Sequence, residues 1–123
     1  MSGARKMAIQ HEKGAGMNLA ALETLQATIR QRRAATTEKS YTRQLLEAGP
    51  KECAKKLGEE AVEVVVAALA EDDEALHNEA ADLIYHLLVL LESRDTGLGP
   101  VLDVLATRHG ISGLTEKASR NQP

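Results

Sequence analysis

The sequence predicts an all-α protein, a four- to five-helix bundle built around a central antiparallel helix hairpin. Three observations carry that prediction. The chain has no Phe or Trp and only two aromatic residues besides His, Tyr41 and Tyr85, so its core must be made of Leu, Val and Ala, which suits packed helices better than aromatic-rich strands. Apolar residues recur at three- and four-residue spacing, as in Leu19, Leu22, Leu25 and Ile29, the period of one helix face. Gly, Pro and acidic breaks then divide the chain into helix-length pieces. The one β-branched run, "VEVVVAALA" at 62–70, has a helical lead-in and Ala-rich surroundings that favour helix.

Taken in order, residues 1–16 lack a sustained period and end in Gly-Ala-Gly, which predicts a flexible N-terminal extension. A first helix is expected from Asn18 as cap to about Arg33. Ser40 caps a short helix holding Leu45 and Leu46, closed by Gly49. Pro50 fits the first turn of the next helix, where its missing N–H goes unneeded, and that helix should reach Ala70. "EDDE" at 71–74 supplies turn and capping residues for a helix from Asp73 to Ser93. "DTGLGP" breaks the pattern, and Pro100 opens a final helix to His109, closed by Gly110. The helical domain spans 17–110, and 111–123 reads as a frayed, polar C-terminal tail.

Bulk properties narrow the function. At 123 residues one domain is the simplest organisation, small enough that oligomerisation would help it. The net charge of −3 gives no global pull toward nucleic acid or an anionic membrane. No apolar run approaches the roughly 20 residues of a membrane span, and the N-terminus lacks the apolar centre of a signal peptide. Cys53 is alone, so no disulfide framework exists; it reads as a small packing residue in a cytoplasmic protein.

The chemistry lies in "KKLGEEAVEVVVAALA", 55–70. Glu59, Glu60 and Glu63 fall within an arc of about 100° on a helix. A solvated stripe would stay polar to the helix end, whereas this arc runs on into Val66, Ala67 and Ala70. The next helix repeats the device: Glu79 and Asp82 share a face that continues to His86, Val89 and Leu90. A connection as short as 71–74 forces an antiparallel hairpin, and the two acidic pairs lie at equal distance from residue 71. They therefore stand level across the gap. Carboxylates so placed repel each other and either take up protons or bind a cation. All-oxygen donors without cysteine suit Mg²⁺, with Mn²⁺ as substitute, and Mg²⁺ held by a few carboxylates commonly serves phosphorylated substrates.

The pattern Glu59-Glu60-x-x-Glu63 followed by Glu79-x-x-Asp82 resembles the signature of the all-α, MazG-like nucleoside triphosphate pyrophosphohydrolases. Within them "SYTRQLLEAG" (40–49), "KKLGEEAVEVVVAA" (55–68) and "EAADLIYHLLVLL" (79–91) look like the three blocks of phosphoribosyl-ATP pyrophosphohydrolase, and "VLDVLATRHG" (101–110) looks like its last helix. One departure is Leu57 in place of an expected Val. The resemblance implies Mg²⁺-dependent cleavage between the α- and β-phosphates of phosphoribosyl-ATP, giving phosphoribosyl-AMP and pyrophosphate, the second step of histidine biosynthesis. It also implies a homodimer with active sites formed between chains. By position it makes Glu60, Glu63, Glu79 and Asp82 the metal ligands and Glu59 a further ligand or the group that orients the attacking water.

Lys55 and Lys56, one turn before the acids, are candidates to meet a substrate phosphate; the ordinary alternative is a surface ion pair. His86 is either a partner of a metal-bound carboxylate and of substrate or a satisfied, partly buried histidine. Of the basic group Arg30, Arg32, Arg33, Lys39 and Arg43, Arg43 stays a substrate candidate, while Arg32 and Arg33 read as complements of a helix C-terminus. Tyr85 reads as packing or interface, and Gly58 in mid-helix suggests close approach by another helix or by substrate. No Gly-rich phosphate loop is present. Two alternatives remain beside this reading. One is a housekeeping pyrophosphohydrolase acting on noncanonical nucleotides; the other is a non-catalytic helical dimerisation module.

Overall fold

In the computed structural model, residues 15–34 and 40–110 are described, with side chains from residue 19 onward. The described residues form five helices and no strand: α1 (Ala15–Arg32), α2 (Tyr41–Ala48), α3 (Pro50–Ala70), α4 (Asp73–Ser93) and α5 (Leu98–His109). The expectations for 1–14, Lys39 and the tail 111–123 lie outside these residues.

Local chemistry explains most of the boundaries. Ser40 Oγ accepts the Arg43 amide at 3.2 Å and starts α2. Gly49 ends α2 and begins α3 at φ 93°, a left-handed value that favours glycine, and Pro50 takes the first helical position. Asp72 Oδ1 accepts the Ala75 amide at 2.9 Å, with Asp73 and Glu74 in the first turn of α4 facing the positive end of its dipole. Two starts differ from expectation. Helix α1 begins at Ala15 and runs through Asn18 instead of being capped there. Helix α5 begins at Leu98 rather than Pro100 because Gln26 of α1 accepts the Leu98 amide with Oε1. That cap comes from another helix, so no local signal announces it.

The α3–α4 hairpin is the frame, and α1 and α2 pack on it. The core joins Ile29 of α1, Leu45 of α2, Cys53 of α3 and Leu88 and Val89 of α4, ringed by Leu22, Leu25, Leu46, Tyr85, Leu90, Leu91 and Leu98. Cys53 is buried as the small packing residue expected of it. The apolar run of α3 behaves differently from expectation. Only Ala67 is fully buried there, while Val62, Val65, Val66 and Leu69 are exposed. On a helix, Val62, Val65 and Leu69 lie about 150° from Ala67, so one side of α3 faces α4 and the other side is an outward apolar stripe. Gly58 belongs to that stripe, and outside its own stretch of helix no atom of the described residues lies within 4 Å of where its Cβ would stand. The close approach expected at Gly58 is therefore not made among the described residues.

Candidate metal centre

The hairpin brings Glu60 of α3 together with Glu79 and Asp82 of α4. One carboxylate oxygen from each lies within 4.8 Å of the other two. Glu60 and Glu79 are half-buried, and Asp82 is open to solvent. The Asp72 cap fixes the turn, the turn fixes the register, and the register sets these side chains level. Glu79 shows the electrical consequence. Its pKa is raised, first by partial burial and then by the neighbouring charges of Glu63, Asp82 and Glu60. Glu63 is exposed and stands outside the trio, but its charge reaches Glu79.

The remaining candidates take distinct places. Lys56 Nζ meets Glu59 Oε2 at 3.4 Å, and the Glu59 carboxylate raises the Lys56 pKa. Lys55 is exposed and outside the trio. Arg43 Nε pairs with Glu47 Oε1 at 2.8 Å along its own helix. His86 is 6% exposed, with Nε2 3.9 Å from Glu60 Oε1, just beyond hydrogen-bond range, and its buried Nδ1 has no partner among the described residues. The imidazole is flanked by two rings set nearly perpendicular to it: Tyr85, with centroids 5.0 Å away, and Tyr41, at 5.9 Å. Tyr85 is half-buried and its hydroxyl bonds that of Thr42, so packing is its part within the chain.

Arg33 does more than complement a helix end. It joins Arg30 in gripping the buried Glu92 carboxylate, at 3.4 and 3.3 Å, and also pairs with Asp95 at 2.7 Å. These contacts tie α1 to the far end of α4.

Residues 22–109 match the family described as PRA-PH, phosphoribosyl-ATP pyrophosphohydrolase. The chain belongs to that family. A phosphoribosyl-ATP pyrophosphatase from Dinoroseobacter shibae is 50% identical over 102 residues, covering 83% of this chain and all of the relative. One from Agrobacterium fabrum is 49% identical over 107 residues, 87% of this chain and all of the relative. "Phosphoribosyl-ATP pyrophosphatase 1" of Rhodopseudomonas palustris is 52% identical over 101 residues, 82% of this chain and 94% of the relative.

For a member of the phosphoribosyl-ATP pyrophosphohydrolase family, the trio fits a hard divalent cation. Its donors are all carboxylate oxygens, mutually close, and the raised pKa of Glu79 registers negative charge that a cation would offset. Sequence reasoning missed Tyr41 and Thr42 as neighbours of the family site. They come from α2, which only tertiary packing brings against α4; the signals that could have found them were the block "SYTRQLLEAG" and, for Tyr41, the scarcity of aromatic residues.

Proposed function

We propose that this chain hydrolyses phosphoribosyl-ATP to phosphoribosyl-AMP and pyrophosphate in a Mg²⁺-dependent reaction, the second step of histidine biosynthesis. The observation that carries the reading is the convergence of Glu60, Glu79 and Asp82 in a chain of this family. These three, with Glu63 at their edge, would hold the cation, Mn²⁺ serving as substitute. When bound, the cation offsets charge on the phosphates and lowers the pKa of a coordinated water. Glu59, held by Lys56, orients the attacking water. Water oxygen bonds to the α-phosphorus while the α–β bridging P–O bond breaks; that bond's electron pair leaves with pyrophosphate, and the proton released from the water passes to solvent. Lys56 also lies where it can offset phosphate charge. His86 faces Glu60 and holds that carboxylate in place once a ligand draws the two together. Lys55 and Arg43 are outer phosphate contacts, and Arg43 must release Glu47 to act.

The working form is a homodimer. Support comes from the outward stripe of Val62, Val65, Val66 and Leu69 on α3, all large apolar side chains left in solvent by one chain. Glu59 and Glu63 border that stripe on the helix surface, so a second copy seated on it would wall the acidic cleft. No helix among the described residues is long and apolar enough to cross a membrane. The buried free thiol of Cys53 accords with the cytoplasmic location that this biosynthetic role expects.

The test is pyrophosphate release from phosphoribosyl-ATP by purified protein, with and without a chelator, for wild type, Glu79→Gln and Asp82→Asn. Both variants should lose release by two orders of magnitude or more (about 3 kcal/mol of barrier) while keeping their helical circular dichroism. Unchanged release in either variant rejects the assignment. Equal turnover of dUTP, dCTP or ITP would redirect it to a housekeeping nucleotide hydrolase.

A further inference from the structure

The two tyrosines of a chain without Phe or Trp stand together at one place, beside the acidic cleft. Their rings are stacked with centroids 6.4 Å apart and planes 21° from parallel. They are not equivalent. Tyr85 is half-buried against the core and pinned through its hydroxyl to Thr42. Tyr41, the first residue of α2, keeps 47% of its surface in solvent. Tyr41 thus packs on Tyr85 and His86 while leaving nearly half of a large ring in solvent.

The surroundings of Tyr41 form a sequence of groups leading into the site. Its ring meets the His86 ring edge-on at 5.9 Å, and His86 faces Glu60 of the acidic trio. Lys56, paired with Glu59, also lies near the Tyr41 phenol. An exposed ring thus stands next to the histidine that faces the acidic trio. A nucleotide with its phosphates at the carboxylates would extend its nucleoside end outward along such a line.

We propose that Tyr41 is the stacking platform for the purine ring of the substrate, and so a specificity-determining residue of this site. The proposal rests on the reading of the acidic trio as a nucleotide pyrophosphohydrolase centre. Physical chemistry favours the pairing. Stacking on an aromatic side chain tolerates any base but gains with ring area, so purines benefit more than pyrimidines. The adenine of phosphoribosyl-ATP is alkylated at N1 and therefore cationic near neutral pH, and the electron-rich face of a phenol attracts a cationic ring. The ring, not the hydroxyl, does this, and Tyr85 holds the platform from behind.

Two measurements test it. In steady-state kinetics, Tyr41→Leu should raise KM for phosphoribosyl-ATP about tenfold or more with a much smaller change in kcat. Tyr41→Phe, which retains the ring, should recover most of that loss. Mn²⁺ affinity and sedimentation should be the same in wild type and Tyr41→Leu. A normal KM in Tyr41→Leu overturns the proposal, as does a change in sedimentation that accounts for the KM. The second measurement does not depend on a folded variant. Because no Trp is present, tyrosine emission reports only two rings. Titrating wild type with AMP should quench part of it, 1-methyl-AMP should quench at lower concentration, and ribose 5-phosphate should leave it unchanged. Emission unaltered by AMP and by 1-methyl-AMP at saturation overturns the stacking. If AMP quenches yet phosphoribosyl-ATP is not hydrolysed, the platform stands and the assigned reaction falls.

Discussion

Glu79 is half-buried beside like charges, and the sign of its pKa shift makes the cost of that placement measurable. Burial and the charges of Glu63, Asp82 and Glu60 raise its folded pKa above the ordinary glutamate value. A carboxyl shifted upward opposes folding when ionised. The opposition is absent below the unfolded pKa of about 4.3, grows as pH rises, and is complete above the folded pKa. In chelator, wild type should therefore lose stability as pH rises through that window. Glu79→Gln should melt above wild type near pH 7 and level with it near pH 3.5. Thermal melts by circular dichroism over this pH range would decide, and a Gln variant that melts lower near pH 7 contradicts the account. On the proposed role of His86 in steadying Glu60, His86→Ala should weaken Mn²⁺ binding by about 10- to 100-fold, read by equilibrium dialysis. Much of this was legible in the chain. Glu60, Glu79, Asp82 and His86 follow from helical spacing on two sides of a short turn, because period and register together place side chains. Glu63 was grouped with them by the same arithmetic, yet it sits about 60° round the helix from Glu60, and the trio closes without it.

At the level of elements, the boundaries that depend on neighbours in sequence were readable and those that depend on tertiary partners were not. Ser40, Gly49, Pro50 and Asp72 each act within four residues; α2 begins and ends, and α3 and α4 begin, where these signals stand. Helix α5 instead takes its cap from Gln26, 72 residues away. The same contact accounts for Gly97. A Cβ there would come within 2.6 Å of Gln26 Oε1, so any larger residue displaces the side chain that caps Leu98. Gly97→Ala should then destabilise the protein by about 0.5–2 kcal/mol, the range for losing an N-cap. Gln26→Ala should cost a similar amount, and the double variant little more, since both remove one interaction. Denaturant unfolding of the four proteins provides the cycle, and fully additive losses would show that Gly97 matters for some other reason.

The whole molecule turns on what covers the outer side of α3. Its Val/Ala/Leu run invites the reading of a buried core helix, and it cannot be told from sequence which of two opposite faces a single chain will bury. Here Ala67 takes the inner side while Leu69 is left 83% exposed. In the proposed symmetric dimer the stripe meets its own copy, so every substitution is counted twice in the assembly. Full burial of a Val or Leu side chain is worth about 1.5–3 kcal/mol, and replacing it with a charge adds desolvation to the loss. Val65→Lys, changed on both protomers, should therefore shift the dimer toward monomer by several orders of magnitude in dissociation constant, visible by sedimentation at micromolar protein. The wild-type melting temperature should rise with protein concentration, as linkage requires of a folded dimer, and the variant's should not. Pyrophosphate release should fall in step with dissociation, because Glu59 and Glu63 border the stripe and the monomer leaves their side of the cleft open. A Val65→Lys protein that stays dimeric would place the interface elsewhere. One that is monomeric and fully active would separate the acidic site from the dimer, leaving each chain sufficient for its own chemistry.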